Sequence, residues 1–142
     1  MRRVLIATHG LMASGAKSTL ELIVGDIGDV ECITAYIDDD NNIDDRLNQY
    51  FSKVSDEDEL IVFTDLKEGS VNQQVLPRLL CKNNAFLVSG FNLPILIEVI
   101  MSSEKITEDI LDRFIENSRN ELCVVNLEKN VEETSDEEFL SF

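Results

Sequence analysis

The sequence holds a single histidine, His9, with Gly10 directly after it and an apolar run, Val4 to Thr8 (VLIAT), directly before it. Much later a second apolar run, Leu60 to Thr64, is followed by Asp65-Leu66-Lys67-Glu68-Gly69-Ser70. A carboxylate that accepts a hydrogen bond from one ring nitrogen of an imidazole fixes its tautomer and turns the other nitrogen's lone pair outward. It also stabilises the imidazolium character that builds during attack. Phosphorus is a natural electrophile for such a nitrogen. The start of a helix beyond Gly10, the amides around Gly69 and the hydroxyl of Ser70 would then donate to phosphate oxygens. Serine and cysteine nucleophile schemes fit less well, because the chain's only imidazole would have to act as their base and no oriented Ser or Cys accompanies it.

For Asp65 to reach His9, the two apolar runs must be neighbouring strands. The rest of the chain supplies that frame as an alternation of strands and helices. Val4–Thr8 reads as strand one, and Ala13 to Val24 as a helix with Ala16, Leu20, Ile23 and Val24 at helical spacing, Ser14 as its cap and Gly25 as its stop. Val30 to Ile37 reads as strand two. Ile43 to Val54 follows as a helix with Ile43, Leu47, Tyr50, Phe51 and Val54 on one face. Leu60–Thr64 is strand three, Val71–Leu80 helix three and Ala85–Ser89 strand four. Asn92-Leu93-Pro94 opens a fourth helix with Asn92 as cap, Pro94 in its first turn and Leu96, Val99 and Ile100 as its stripe. Ile106, Ile110 and Phe114 predict a fifth helix, and Leu122 to Val125 a short fifth strand.

Strands that are apolar on both sides imply an open, mainly parallel α/β sheet covered on both faces. In the flavodoxin-like order 2-1-3-4 the winding reverses between strands one and three, and the functional crevice lies beyond their carboxyl ends. Adjacent strands lie about 4.8 Å apart, so His9 and Asp65 come within hydrogen-bonding reach. The residues alone leave two readings standing. His9 is either this nucleophile or a packed or capping histidine, with Asp65 a helix cap and Gly69-Ser70 an ordinary turn.

Composition narrows the classes. The 142 residues suffice for one domain with a sizeable core, here residues 1–126, followed by an acidic tail, 127–142, that lacks a clear period and is expected to be mobile. No apolar run is long enough to span a membrane, and the chain reads as cytoplasmic. Cys32, Cys81 and Cys123 have neither disulfide nor metal-ligand spacing and are expected as buried free thiols. A net charge of −16 argues against nucleic acid and anionic lipid, and suits either solubility or a protein partner with a basic patch. Asp38, Asp40 and Asn42 mimic the start of a calcium loop, but Ile43 stands where Gly is needed and Gln49 where a bidentate Glu belongs. A response-regulator receiver would carry its acidic pair after strand one, whereas here the acids follow strand two.

Three segments resemble the mannose-class enzyme IIA domains of the bacterial phosphotransferase system. ATHGLMASG, Ala7 to Gly15, with Glu21, Ile23 and Gly25 beyond it, is similar to the family's phosphorylation segment. TDLKEGSVNQ, Thr64 to Gln73, resembles its D-x-x-G-G-S-P-x-N, and SGFNLPILIEVI, Ser89 to Ile100, its G-x-N-x-P-x-L-x-E. The resemblance implies His9 as the phosphorylated residue, Asp65 as its orienting partner, and Gly10, Gly69 and Ser70 as phosphate contacts. It implies no metal or nucleotide cofactor, phospho-HPr as donor, a IIB subunit as acceptor and membrane contact only through IIC and IID partners. It also implies a homodimer that exchanges the C-terminal strand. Glu68 and Val71 depart from the family's Gly and Pro. A carboxylate at 68 would oppose a phosphoryl group nearby, so a slow or regulatory paralogue stays open as an alternative. The phosphotransferase subunit of dihydroxyacetone kinase shares the fold but typically has Ser after its histidine; His9-Gly10 and Asn92-Pro94 favour the mannose class.

Overall fold

The computed structural model describes residues 1–37 and 42–128. Asp38 and Asp40 of the calcium-like pattern and the tail from residue 129 onward lie outside the described residues. Four strands, β1 (Arg2–His9), β2 (Val30–Ala35), β3 (Glu59–Thr64) and β4 (Ala85–Ser89), form one parallel sheet in the order β2-β1-β3-β4. Five helices join them: α1 (Met12–Val24), α2 (Ile43–Ser52), α3 (Ser70–Leu79), α4 (Leu93–Met101) and α5 (Glu108–Glu121).

Alternation along each strand splits the core in two. Val4, Ile6, Ile61, Phe63 and Val88 meet Leu20, Leu96, Val99, Leu111 and Phe114 beneath α1, α4 and α5. Leu5, Ala7, Ile33, Leu60 and Val62 meet Leu47, Tyr50, Val71 and Val75 beneath α2 and α3. Each fully buried Leu or Ile of this kind stabilises the fold by about 1.5–3 kcal/mol. Val71, one of the two departures from the family pattern, is fully buried in the second cluster, which accounts for its being apolar.

Several local expectations need correction. Ser14 does not cap α1. The helix starts earlier, with Leu11 at its N-cap position, and the Ser14 hydroxyl donates to the Leu11 carbonyl, while Thr8 at the end of β1 accepts from the Ala13 amide. Strand two stops at Ala35, because Tyr36 has a positive φ of 63° and turns the chain away. The fifth helix runs to Glu121, since the small buried Ser118 continues the stripe of Leu111 and Phe114. Residues 122–126 form no strand within the single chain, and Leu122, Val124 and Val125 are exposed. The thiols are free but not all buried: Cys32 is half-buried, and Cys81 and Cys123 are exposed, because their apolar neighbours Leu80, Leu122 and Val124 themselves face solvent just past the ends of α3 and α5. Asn92 caps α4 as expected, its side chain accepting from the Ile95 amide.

Candidate functional site

The parallel register sets Ala7 level with Thr64 and His9 level with Ala35. Asp65 therefore leaves β3 level with Thr8, one residue short of His9, and its carboxylate reaches across the gap. One oxygen, Asp65 Oδ2, accepts from both the backbone amide of His9 at 2.9 Å and His9 Nδ1 at 2.8 Å. The other oxygen accepts from the Leu66 amide at 3.0 Å. Burial would push the Asp65 carboxyl up, but the hydrogen bonds from the backbone and ring of His9, with the attraction of its imidazolium form, outweigh burial and hold it below the usual carboxylate range. An ionised carboxylate only accepts, so Nδ1 carries a hydrogen, and in the neutral ring Nε2 carries the lone pair.

That lone pair faces the Ser70 hydroxyl at 3.2 Å, and the His9 side chain is 39% exposed. Gly69 makes room for this approach: a Cβ there would stand 3.2 Å from His9 Cε1, from Leu66 Cβ and from the Leu66 carbonyl oxygen, close enough that the ring or the loop would have to shift by a few tenths of an ångström. Asn72 braces the loop between them, its oxygen accepting from the Thr64 hydroxyl at 2.7 Å and its nitrogen donating to the Lys67 carbonyl at 2.9 Å. Gly10 turns the chain with φ of 60°, a left-handed conformation that suits glycine.

The amide donors differ from those expected. The Gly10 amide donates to the Ala35 carbonyl at 2.8 Å and the Gly69 amide to the Leu66 carbonyl at 3.1 Å. Both glycines thus shape the site through their backbone conformation or their lack of a side chain. The donors left for an anion are the first turn of α3 and, apart from the Ala13 amide that Thr8 takes, that of α1; neither helix is capped by its own N-cap residue, and neither has an acidic residue in its first turn. Glu68 is exposed.

Tyr36 is the residue that sequence reasoning missed. Its hydroxyl lies 2.8 Å from Ser70 Oγ, and its ring sits 5.4 Å from the His9 ring at 31°. Its left-handed backbone costs about 1 kcal/mol for a residue of this size. The available signal was topological, since Tyr36 leaves β2 beside His9 at the same edge of the sheet.

An imidazole held by a carboxylate at the carboxyl edge of a parallel 2-1-3-4 sheet, beside a serine hydroxyl and the starts of two helices, is equipped to hold an anionic group on Nε2. The family model for the PTS system fructose IIA component (EIIA-man) matches residues 3–116, and the chain belongs to this family of sugar phosphotransferase IIA components. Among solved structures, a protein from Klebsiella pneumoniae assigned as a phosphoenolpyruvate-dependent sugar phosphotransferase system permease is 31% identical, with a TM-score of 0.81 over 89% of this chain and 92% of that one. The PTS IIA protein associated with the fucose utilization operon of Streptococcus pneumoniae is 30% identical, with a TM-score of 0.73 over 92% and 96%. The mannose/sorbose specific IIA subunit of Enterococcus faecalis, 18% identical, shares the fold with a TM-score of 0.78 over 89% and 96%. No curated protein matches the sequence. Among the described residues no helix is long and apolar enough to cross a membrane.

Proposed function

We propose that the chain is a cytoplasmic phosphoryl carrier that accepts a phosphoryl group on His9 from phospho-HPr and passes it to a IIB subunit during sugar uptake, with membrane steps left to IIC and IID partners. The observation that carries this reading is the division of labour on one ring: Nδ1 is held by Asp65 while Nε2 faces Ser70 at a half-exposed edge. The Nε2 lone pair forms a new P–N bond as the donor's P–N bond breaks, and that electron pair returns to the donor's ring nitrogen. The donor ring, protonated on its far nitrogen, is left neutral, and His9 becomes the phosphoimidazolium with its Nδ1 hydrogen shared with Asp65. Ser70 and the first turns of α1 and α3 hold the phosphoryl oxygens. One P–N bond replaces another, so the exchange is close to balanced. An open site suits transfer between two proteins, and the exposed Leu11, Met12, Ile37 and Leu66 on the surrounding turns give a partner apolar footing.

The exposure of Glu68 supports the carrier over the regulatory paralogue, because a carboxylate in solvent opposes the phosphoryl group weakly. The reading extends to assembly. β4 is an edge strand, and exchange of residues 122–125 between two copies of the domain, residues 1–126, would pair its backbone and cover Leu122, Val124 and Val125. Light scattering is then expected to give twice the chain mass, and truncation after Asn120 a monomer. Mass spectrometry under conditions that preserve acid-labile phosphate, after mixing with phospho-HPr, tests the carrier. A stoichiometric adduct on His9 that is lost in His9→Ala is expected, and full labelling of the His9→Ala variant overturns it.

A further inference from the structure

We infer that Tyr36 is a positioning residue of this site, holding the Ser70 hydroxyl in the orientation that meets first the Nε2 lone pair and then a phosphoryl oxygen. The inference rests on the carrier reading for its second half and on geometry alone for its first.

Proton counting fixes the direction of the chain of hydroxyls. In the neutral ring, the form that can attack, Nδ1 donates to Asp65, so Nε2 has no hydrogen and can only accept. Ser70 lies 3.2 Å from Nε2 and has one hydrogen to give, so it donates to the ring. Its oxygen is thereby left as an acceptor toward Tyr36 at 2.8 Å, and the phenol must be the donor. The order is Tyr36 hydroxyl to Ser70 hydroxyl to Nε2. Without the phenol, Ser70 could rotate its hydrogen toward water or a carbonyl and leave Nε2 unpaired. Once Nε2 bonds phosphorus its lone pair is used, and the same Ser70 hydrogen turns to a phosphoryl oxygen while Tyr36 still supports the serine from behind. No bond beyond the P–N exchange is made or broken, and no proton leaves the site.

Two further features agree. Tyr36 is the one non-glycine with positive φ among the described residues, so the backbone is strained where this side chain is aimed at Ser70. Its ring lies against the imidazole at 5.4 Å and covers one side of it, although the tyrosine as a whole is half open to solvent. A residue placed for packing alone has no reason to accept strain at an exposed turn.

Because His9 is the chain's only histidine, its ring nitrogens give isolated signals in nitrogen-15 spectra of the full chain. Tyr36→Phe keeps the ring and loses the hydroxyl, and Tyr36→Gly also releases the backbone strain. For Tyr36→Phe the expected result is a shifted Nε2 resonance, and phosphorylation by potassium phosphoramidate slowed about 3- to 10-fold, the loss of one neutral hydrogen bond. Thermal stability should stay unchanged. Tyr36→Gly, which removes the ring and the hydroxyl together, should slow phosphorylation at least as much, while the released strain offsets the added entropy of the unfolded chain and limits the change in melting temperature. An Nε2 resonance and a phosphorylation rate that both stay at wild-type values in Tyr36→Phe overturn the inference. Should the wild-type chain accept no phosphoryl group at all, the carrier reading falls, and the Nε2 resonance alone decides whether the hydroxyl chain exists.

Discussion

The two edges of the sheet are built on opposite principles. At the amino edge charges are paired: Arg2 donates to Glu59 at 2.5 Å and to the carbonyls of Val99, Ser102 and Glu104, while Arg3 bridges Asp58 at 2.8 Å and Asp29 at 3.1 Å. At the carboxyl edge α1 and α3 begin without side-chain caps, whereas α2, α4 and α5 are capped by Asn42, Asn92 and Thr107. A capping oxygen typically contributes about 1 kcal/mol; the two helices that start beside His9 lack one from their N-cap residues, and only the Ala13 amide of α1 is taken, by Thr8, so the other first-turn donors stay open where an anion would sit. Charge pairing holds the fold at the amino edge, while the carboxyl edge combines a hydrogen-bonded His9–Asp65–Ser70 cluster with helix starts that their own N-cap residues leave uncapped.

If that division is right, substitutions at the two edges should separate function from stability. The largest effect is expected for Asp65→Ala, which should slow phosphoryl acceptance by about 10- to 100-fold without abolishing it, since the nucleophile survives without its orienting partner. Quenched-flow labelling from phospho-HPr measures this, and a wild-type rate would show that the carboxylate does not orient the ring. Next is Arg2→Ala at the other edge, expected to cost about 2 kcal/mol in urea unfolding through its lost carbonyl and carboxylate bonds, with acceptance per folded molecule retained. A fall in acceptance with unchanged stability would erase the distinction between the edges.

Acid should strain both edges. The hydrogen bond from Arg3 and the Ser55 amide hold Asp58 down to about 2, and Asp65 is also depressed. Both carboxylates bind fewer protons folded than unfolded. Their contribution is therefore fully present above the ordinary carboxylate range, about pH 4, and is lost as the pH falls toward about 2. Urea midpoints followed down in pH should fall over this window, and less steeply in Asp58→Asn. The smallest effect is expected for Glu68→Gly, a change in acceptance of less than about 3-fold, because an exposed charge is screened. A larger gain would mean that Glu68 turns toward the phosphoryl group.

Strand order and the His9–Asp65 pairing were legible because parallel strands joined by helices leave few topologies, and the edge rule then names the residues just past strands one and three. Ser70 followed because it begins the helix after that edge. Tyr36 was not legible as a site residue, because its reach depends on a left-handed backbone that a strand-like run such as VECITAY does not announce. The glycine amides were misjudged for a related reason: which carbonyl a turn amide finds is decided by the neighbouring strand and loop, here Ala35 and Leu66. The cysteines show the same limit, since linear neighbours say little about exposure at helix ends.

The partners of His9 come from far along the chain, Asp65 lying 56 residues away and Ser70 61. Contacts of such separation carry a high loop-closure cost and form late, after β1 and β3 have paired. An emerging chain that has made only its first strand and helix exposes the histidine but has neither the carboxylate that orients it nor the hydroxyl that receives its lone pair. Under the proposed carrier reading such a chain keeps its nucleophile but lacks the carboxylate that orients it, so a ribosome-bound or misfolded copy should be charged more slowly than a finished one, and the rate of charging would report on folding.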